Sequence, residues 1–428
     1  MHLYDRVIQK ANQDEEFRAR LLSNPKRTLQ EEYGINLLVS HELCVHSETD
    51  ALTHLVLPPK SKFSDAEKEA ARAGATSLEF LKETMYDPAP PKRDAVTEIS
   101  SIKLTGQSPQ ELVGLGQSCI QRGLEFLDSA LDDNGAWYCI RFNLGDSNIP
   151  RHYERPPFIS AFCALALQAI DNSLAKKIIR KTTQYLVETI EYPGLWRYYR
   201  HLPLDLDSSS LGSLMLGSHP WICFGRNRVR MLANRDEQGR FMTWLLDEGE
   251  PDVVSQFRIE ADPVVNANII AYLGDCDATR PAQNWLRQLI EENIVEGTSK
   301  WYPDEVSIYY AVSKAIECVQ PALDQLKPTI ADRLLNLRDV QGDFGNIFCT
   351  ARAVSTLYNI GWLSRIDLTK EFLRLIETQQ ADGSWPEVLA FGDQSRKFGI
   401  VGRIGHGSDT VTTAFCIEAL ERLTGCVG

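Results

Sequence analysis

The chain has 428 residues, of which 43% are hydrophobic and 24% are charged, an ordinary composition for a globular protein. It carries 45 Lys and Arg against 58 Asp and Glu, so its formal net charge is −13. This acidic balance argues against nucleic-acid binding. The sequence shows neither a signal peptide nor an apolar run long enough to span a membrane. We expect a cytoplasmic protein whose ten scattered cysteines are free thiols.

The N-terminal part of the chain differs from the rest, because all eight tryptophans occur at or after Trp137. Its sequence resembles the nitrile-hydratase α-subunit fold as that fold recurs in leader peptides of ribosomal natural-product precursors. The resemblance implies an α+β domain in which helices precede two short strands. The motifs that carry it are FRARLLSNP (17–25), EEYGI (31–35) and LVLPP (55–59), and the strands would be ELCVH (42–46) and HLVL (54–57).

Hydratase chemistry needs several closely spaced cysteines, and this part of the chain has only Cys44. We therefore expect residues 1–85, whose last helix is predicted over 64–84, to be a docking module or a lid. Residues 86–110 contain four prolines and little apolar periodicity, which is typical of a linker. The body of the protein is then predicted to be residues 111–428.

The body contains a repeat that ends in glycine, any residue and an aromatic residue. Successive aromatic positions, with Trp301 as a looser copy, are 59, 45, 60, 43 and 41 residues apart. A period in this range is typical of arrays of helix pairs. The regular copies are Gly135-Ala136-Trp137, Gly194-Leu195-Trp196, Gly239-Arg240-Phe241, Gly342-Asp343-Phe344 and Gly383-Ser384-Trp385.

The helices on either side of this repeat differ in polarity. Those before it are amphipathic, and those after it are apolar around most of their circumference, as expected for helices buried on several sides. Six outer and six inner helices predict an (α/α)6 toroid in a mainly α chain, with an open superhelical array as the alternative. Five of the outer segments are predicted at 126–131, 185–191, 285–293, 333–339 and 372–379, and the six inner ones at 156–170, 204–216, 262–273, 306–319, 346–360 and 408–420.

The segment QQADGSW (379–385) resembles the QW repeat of the squalene–hopene cyclase and terpene cyclase superfamily. This resemblance covers roughly residues 110–425 and implies the toroid more specifically than the reaction. The segment LPLDLDSS (202–209) further resembles the D-x-D-D-T motif of class II terpene cyclases. In that family the middle Asp is the general acid that protonates an alkene or an epoxide.

Asp207 matches this general acid, and Asp205 matches the first Asp of the motif, while Ser208 replaces the third. Such an acid needs burial or a neighbouring like charge to stay neutral, and Asp205 could supply that charge. The sequence leaves open a structural alternative in which Asp205 or Asp207 only caps the helix that begins here.

A carbocation would also need aromatic faces around the cavity. The candidates near the starts of the inner helices are Trp137, Phe158, Trp196, Tyr198, Tyr199, Tyr309, Tyr310 and Phe344. A diphosphate would need basic residues, for which Arg226, Arg228 and Arg230, or Arg396, Lys397, Arg403 and His406 of a Gly-rich loop, are candidates. No cofactor is required, and Mg²⁺ enters only if the substrate carries a diphosphate.

The resemblance therefore predicts an enzyme that cyclises a linear isoprenoid. The alternative is a non-catalytic or peptide-binding toroid in a ribosomal natural-product pathway. Zinc-dependent protein prenyl transfer, the other main activity of this toroid, needs a His and a Cys that are missing beside Asp409 and Asp304. Because only one toroid is predicted, we expect the N-terminal domain, a partner protein or self-association to close the cavity.

Overall fold

The computed structural model describes residues 3–37, 42–48, 108–143, 151–199, 202–246, 260–392 and 404–427. Within these ranges the chain is mainly helical, with short strands between the helices. In chain order, the N-terminal helices are α1 (Leu3–Gln13), α2 (Glu15–Ser23) and α3 (Pro25–Tyr33).

The three N-terminal helices are separated by strong local signals. Asp14 caps α2, Asn24 caps α3, and Gly34 ends α3 with a φ of 68°. Their small core centres on Phe17, and Phe224 of the body packs against it. Residues 42–48 have no regular secondary structure, so the strand predicted over 42–46 is wrong. The predicted strand 54–57 and helix 64–84 lie outside the described residues.

The inner helices form a closed ring. Each of the six contacts the next one along the chain, and the last contacts the first. All six begin within two residues of the predicted bounds and five end within three residues of them, while the last continues from the predicted 420 to Val427. The closed toroid is therefore confirmed and the open superhelical array is wrong. The inner helices are α5 (Pro157–Leu167), α7 (Leu206–Met215), α10 (Pro263–Leu273), α12 (Glu305–Cys318), α14 (Ile347–Asn359) and α16 (Asp409–Val427).

The outer layer is less regular than the sequence predicts. Where one long outer helix is expected before Gly239, the chain forms two short helices, α8 (Pro220–Cys223) and α9 (Arg228–Ala233). Gly225, at a φ of 66°, separates them, since this backbone conformation ends a helix. The long outer helices are α4 (Pro109–Ala130), α6 (Ser173–Thr189), α11 (Arg280–Glu291), α13 (Lys327–Leu337) and α15 (Thr369–Glu377).

The tryptophans of the repeat connect the two layers. Trp385 donates from Nε1 to the carbonyl of Leu375 on an outer helix at 2.8 Å. Its backbone amide donates to Oγ1 of Thr413 on an inner helix at 2.9 Å. Trp137 and Trp196 make the same pair of contacts in their own repeats. These side chains are fully buried and therefore serve packing between the layers.

Short antiparallel strands lie where the chain enters the inner helices, so they mark one mouth of the toroid. One sheet has the order β2 (His152–Glu154), β1 (Cys139–Asn143), β7 (Ile404–Gly407) and β6 (Phe391–Gly392). The other has the order β3 (Trp196–Arg197), β4 (Leu204–Asp205) and β5 (Trp244–Leu245). In this second sheet Asp205 pairs with both Trp196 and Trp244, which fixes the start of α7.

Candidate active site

The segment that resembles the acid motif runs from β4 into the first turn of α7. Asp205 is the N-cap of this helix, since its Oδ1 accepts a hydrogen bond from the backbone amide of Ser208 at 2.7 Å. Asp207 makes no such cap and lies in the first turn, with 8% of its surface exposed. The alternative that the carboxylate only caps the helix therefore applies to Asp205 and not to Asp207.

Both carboxyl oxygens of Asp207 accept hydrogen bonds from other repeats. Asn268 Nδ2, on α10, donates to Oδ1 at 2.7 Å, and the hydroxyl of Tyr302, just before α12, donates to Oδ2 at 2.8 Å. Burial raises the pKa of Asp207 above its ordinary value, while these two hydrogen bonds and the positive charge of Arg352 lower it. The burial effect is the largest, so the side chain holds a proton more readily than an exposed aspartate.

Asp205 and Ser208 lie beside this acid without bonding to it. Burial, together with the nearby charge of Asp207, raises the pKa of Asp205 to about 7, against the opposing effect of its hydrogen bond with Ser208. Its second oxygen, Oδ2, is buried and has no hydrogen-bond partner within the part of the chain that the structure describes, and the same holds for Oγ of Ser208. Asp205 and Ser208 thus place two polar atoms near Asp207 that make no hydrogen bond to any described protein group.

A cavity of about 380 Å³ occupies the centre of the ring, within the size range of small-molecule sites. Its deep end contains Asn268, Ser307 and Arg352, and it extends to the C-terminal ends of the inner helices at Cys318 and Arg422. All six inner helices contribute to its wall. The other lining residues are Phe162, Leu165, Gln168, Ala169, Leu211, Leu214, Val264, Ala271, Tyr310, Ala311, Lys314, Glu317, Asn359 and Glu418.

Asp207 is separated from this cavity by one residue, because Asn268 both lines the cavity and bonds the carboxyl group. On its other side, Tyr302 belongs to a cluster of rings at the N-terminal mouth. Neighbouring ring centroids in this cluster are 5.3–6.3 Å apart, which is ordinary aromatic contact. The cluster consists of Phe158, Tyr198, Tyr302, Phe391 and His406.

The predicted aromatic residues are distributed over several environments. Tyr310 lines the central cavity, and its hydroxyl donates to Glu418 Oε2 at 2.9 Å. Phe158 and Tyr198 lie in the aromatic cluster near Asp207, whereas Phe344 lines a second cavity of about 300 Å³. Trp137, Trp196, Tyr199 and Tyr309 are buried and line neither cavity.

Those predicted basic residues that the structure describes lie away from the central cavity. Arg226 is exposed between α8 and α9, while Arg228 and Arg230 are on α9, in the outer layer. His406 is on β7, within the aromatic cluster, where its Nε2 lies 3.5 Å from Glu154 Oε2. Arg396, Lys397 and Arg403 lie outside the described residues.

Sequence reasoning missed the three residues that bond Asp207 or contribute a nearby positive charge: Asn268, Tyr302 and Arg352. Two of them carried a signal, because Asn268 and Arg352 are polar residues inside helices that are otherwise apolar.

A fourth buried polar residue, Asp262, caps α10. Burial raises its pKa to about 6, and the hydrogen bond from Ser299 is the main effect that opposes this rise. Its hydrogen bonds to backbone amides give it a structural role.

Two other features bear on the kind of site. All ten cysteines are free thiols, as predicted. Among the described residues, no group of three or more His, Cys, Asp or Glu side chains is arranged to hold a metal ion. In the same part of the chain, every helix is too short or too polar to cross a bilayer.

Among the comparisons with known proteins, only the one with solved structures found matches, and these share the fold. No protein-family model and no curated protein sequence matches this chain. Among solved structures, the type II terpene cyclase MstE from Scytonema with geranylgeranyl dihydroxybenzoate matches at a TM-score of 0.60 and 15% identity, over 74% of this chain and 99% of that one. Its apo form matches at a TM-score of 0.60 and 16% identity, over 73% of this chain and 99% of that one. A protein from Actinoplanes matches at a TM-score of 0.58 and 17% identity, over 72% of this chain and 99% of that one.

The chain therefore has the helical toroid of a type II terpene cyclase. At these identities the likeness establishes the fold. What the toroid does in this protein has to be argued from its own side chains.

Proposed function

We propose that this protein is a class II terpene cyclase-like enzyme in which Asp207 protonates a linear isoprenoid and starts its cyclisation. The observation that carries the proposal is the buried carboxyl group of Asp207, bonded at both oxygens and placed beside the central cavity. An alkene is a weak base, so its protonation requires an acid that is shielded from water.

The proposed reaction uses the proton of Asp207 and requires neither an oxidant nor a reductant. The π electrons of one C=C bond form a new C–H bond with that proton, which leaves a positive charge on the other carbon. A second C=C bond then attacks this carbon and closes a ring, and the final cation transfers a proton to water, after which solvent reprotonates the Asp207 carboxylate. The hydrogen bonds from Asn268 and Tyr302 stabilise the carboxylate that remains after the first step.

The aromatic cluster supports the later steps. A ring face attracts a cation at short range, and the attraction grows when water is absent. Phe391 lies next to Tyr302, which itself contacts Asp207, and the rings of Phe158 and Tyr198 pack against Phe391. We propose that these rings stabilise the cationic intermediates, while Asp205 and Ser208 help to keep the proton on Asp207.

The substrate class is proposed from the neighbours. MstE is seen with geranylgeranyl dihydroxybenzoate and with merosterolic acid A, an isoprenoid conjugate and its product. We propose an isoprenoid substrate here as well. A requirement for Mg²⁺ with a diphosphate substrate, and closure of the toroid by the N-terminal domain, a partner or a second copy, stay predictions.

The test is incubation of the full chain with linear isoprenoid acids, alcohols and diphosphates, with and without Mg²⁺, and analysis for cyclised products. Asp207→Asn should lose all cyclised product while keeping its melting temperature, because the amide keeps the shape but cannot donate a proton to an alkene. Asp14→Asn, the same change at the cap of α2, should keep wild-type activity. Equal turnover by Asp207→Asn and wild type would refute the role of this residue.

A further inference from the structure

Arg352 is an unusual residue within the central cavity. It lies on the inner helix α14 and is only 1% exposed, although it lines the cavity wall. Its guanidinium carbon is 4.1 Å from the ring centroid of Phe348 and 5.0 Å from that of Phe415. Three more rings lie within 6 Å, those of Phe162, Tyr310 and Tyr302.

Within the described ranges, the charge of this side chain has no direct counter-charge. Ser307 Oγ accepts a hydrogen bond from Nη1 at 2.5 Å, and no described group accepts one from Nε. Among the described residues, no carboxylate oxygen lies within 4 Å of its nitrogens. A buried charge without a counter-charge is costly, and aromatic faces recover only part of that cost.

The remaining charged groups of the cavity lie nearer its mouth and are of both signs. Lys314 and Arg422 are positive, whereas Glu317 and Glu418 are negative, and Glu418 already accepts a hydrogen bond from Tyr310. Ser307 is seven residues before Lys314 on α12, so about 10 Å separates the deep end from these groups. The positive charge that no described carboxylate contacts directly is therefore located at the deep end, on the side of Asp207.

We propose that Arg352 binds an oxyanion, a carboxylate or a phosphate, carried by the ligand of the central cavity. The inference rests on the proposed function only for the isoprenoid nature of the rest of that ligand. A guanidinium presents planar donors that match such a group, and pairing in a water-poor site is strong. The five rings hold the guanidinium in place and leave the cavity side for the ligand.

The same pairing removes a conflict within the proposed reaction. A fixed positive charge beside the cavity disfavours a substrate cation, and it also lowers the pKa of Asp207. An anion on Arg352 cancels both effects. Because cyclisation requires a folded chain, the head group and the protonated alkene of one ligand can both lie at the deep end of the cavity.

The experiment measures binding with ligands that have no double bond, so its outcome does not depend on proton transfer. The probes are hexahydrofarnesoic acid, hexahydrofarnesyl monophosphate and the neutral alcohol hexahydrofarnesol, titrated calorimetrically into the full chain. Wild type should bind at least one anion tenfold or more tighter than the alcohol. Which anion binds tighter identifies the head group as a carboxylate or a phosphate.

Arg352→Met should bind the alcohol as wild type does and lose the preference for the anion. Arg352→Lys, which retains the charge, should keep part of the preference for the anion. This variant keeps the test decisive if Arg352→Met does not fold. The control is Arg365→Gln, which removes an exposed arginine that stacks on Trp362. Equal binding of anions and alcohol by wild type, or an unchanged preference in Arg352→Met, would overturn the proposal.

The two proposals fail separately. If Asp207→Asn retains the preference for the anion while wild type produces no cyclised product, the oxyanion site stands and the cyclase function does not.

Discussion

The hydrogen bond from Tyr302 to Asp207 gives a sharp test of the proposed acid. Tyr302→Phe removes only the hydroxyl that donates to Oδ2 at 2.8 Å, and it keeps the ring that contacts Phe391. Hydrogen bonds to a charged group contribute about 1.5–3 kcal/mol. The proton transfer creates this charge, so the loss should reduce kcat roughly 10- to 100-fold and leave KM nearly unchanged.

The pH profile supplies a second readout of the same change. The hydroxyl of Tyr302 lowers the pKa of Asp207, so its removal raises that pKa further. Since the reaction needs the protonated acid, activity persists below this pKa and is lost above it. Tyr302→Phe should therefore lose activity at a higher pH than wild type. The matched control is Tyr309→Phe, whose hydroxyl donates to Glu305 at 3.2 Å, outside the site. Unchanged kcat and an unchanged pH profile in Tyr302→Phe would refute the reasoning.

Two further predictions concern stability, measured by urea unfolding. Asp205→Asn should stabilise the protein increasingly between pH 4 and pH 7, because the folded-state pKa of about 7 lies above the unfolded value and ionisation disfavours the fold over that interval. A shift of about three pKa units at about 1.4 kcal/mol each puts the gain at roughly 4 kcal/mol at pH 8, since Asn also caps helices well; a constant gain at all pH values would contradict this. Gly383→Ala should cost roughly 2–3 kcal/mol more than the control Gly361→Ala. Both glycines have positive φ, but only at Gly383 would a Cβ lie 2.4 Å from a carbonyl oxygen, that of Arg122. Equal losses in the two variants would show that the close contact relaxes freely.

The sequence predicted the helical ring because the signals for it are local. Alternating amphipathic and apolar segments separate outer from inner helices, and a glycine followed after one residue by an aromatic residue marks the regular returns between the layers. The prediction placed an inner helix at 346–360, and the structure has it at Ile347–Asn359. The outer layer before Gly239 was predicted less well, since Pro220 and Gly225 break it into two short helices.

The proposed acid could be named from sequence, because Asp207 lies in a short motif that resembles a known one. Its partners could not. Asn268 is 61 residues away along the chain and Tyr302 is 95 residues away, and only closure of the ring brings both to one carboxyl group.

The side chains that line the cavity wall were the part of the site that the sequence predicted least well. An inner helix that is apolar around its circumference has no polar face to indicate which side chains point inward. Tyr309 and Tyr310 are adjacent, yet successive residues of a helix point about 100° apart. Tyr310 lines the cavity and Tyr309 bonds Glu305 on its own helix. The sequence determined that these helices are buried, and the packing of six of them around a centre decided which residues the ligand would meet.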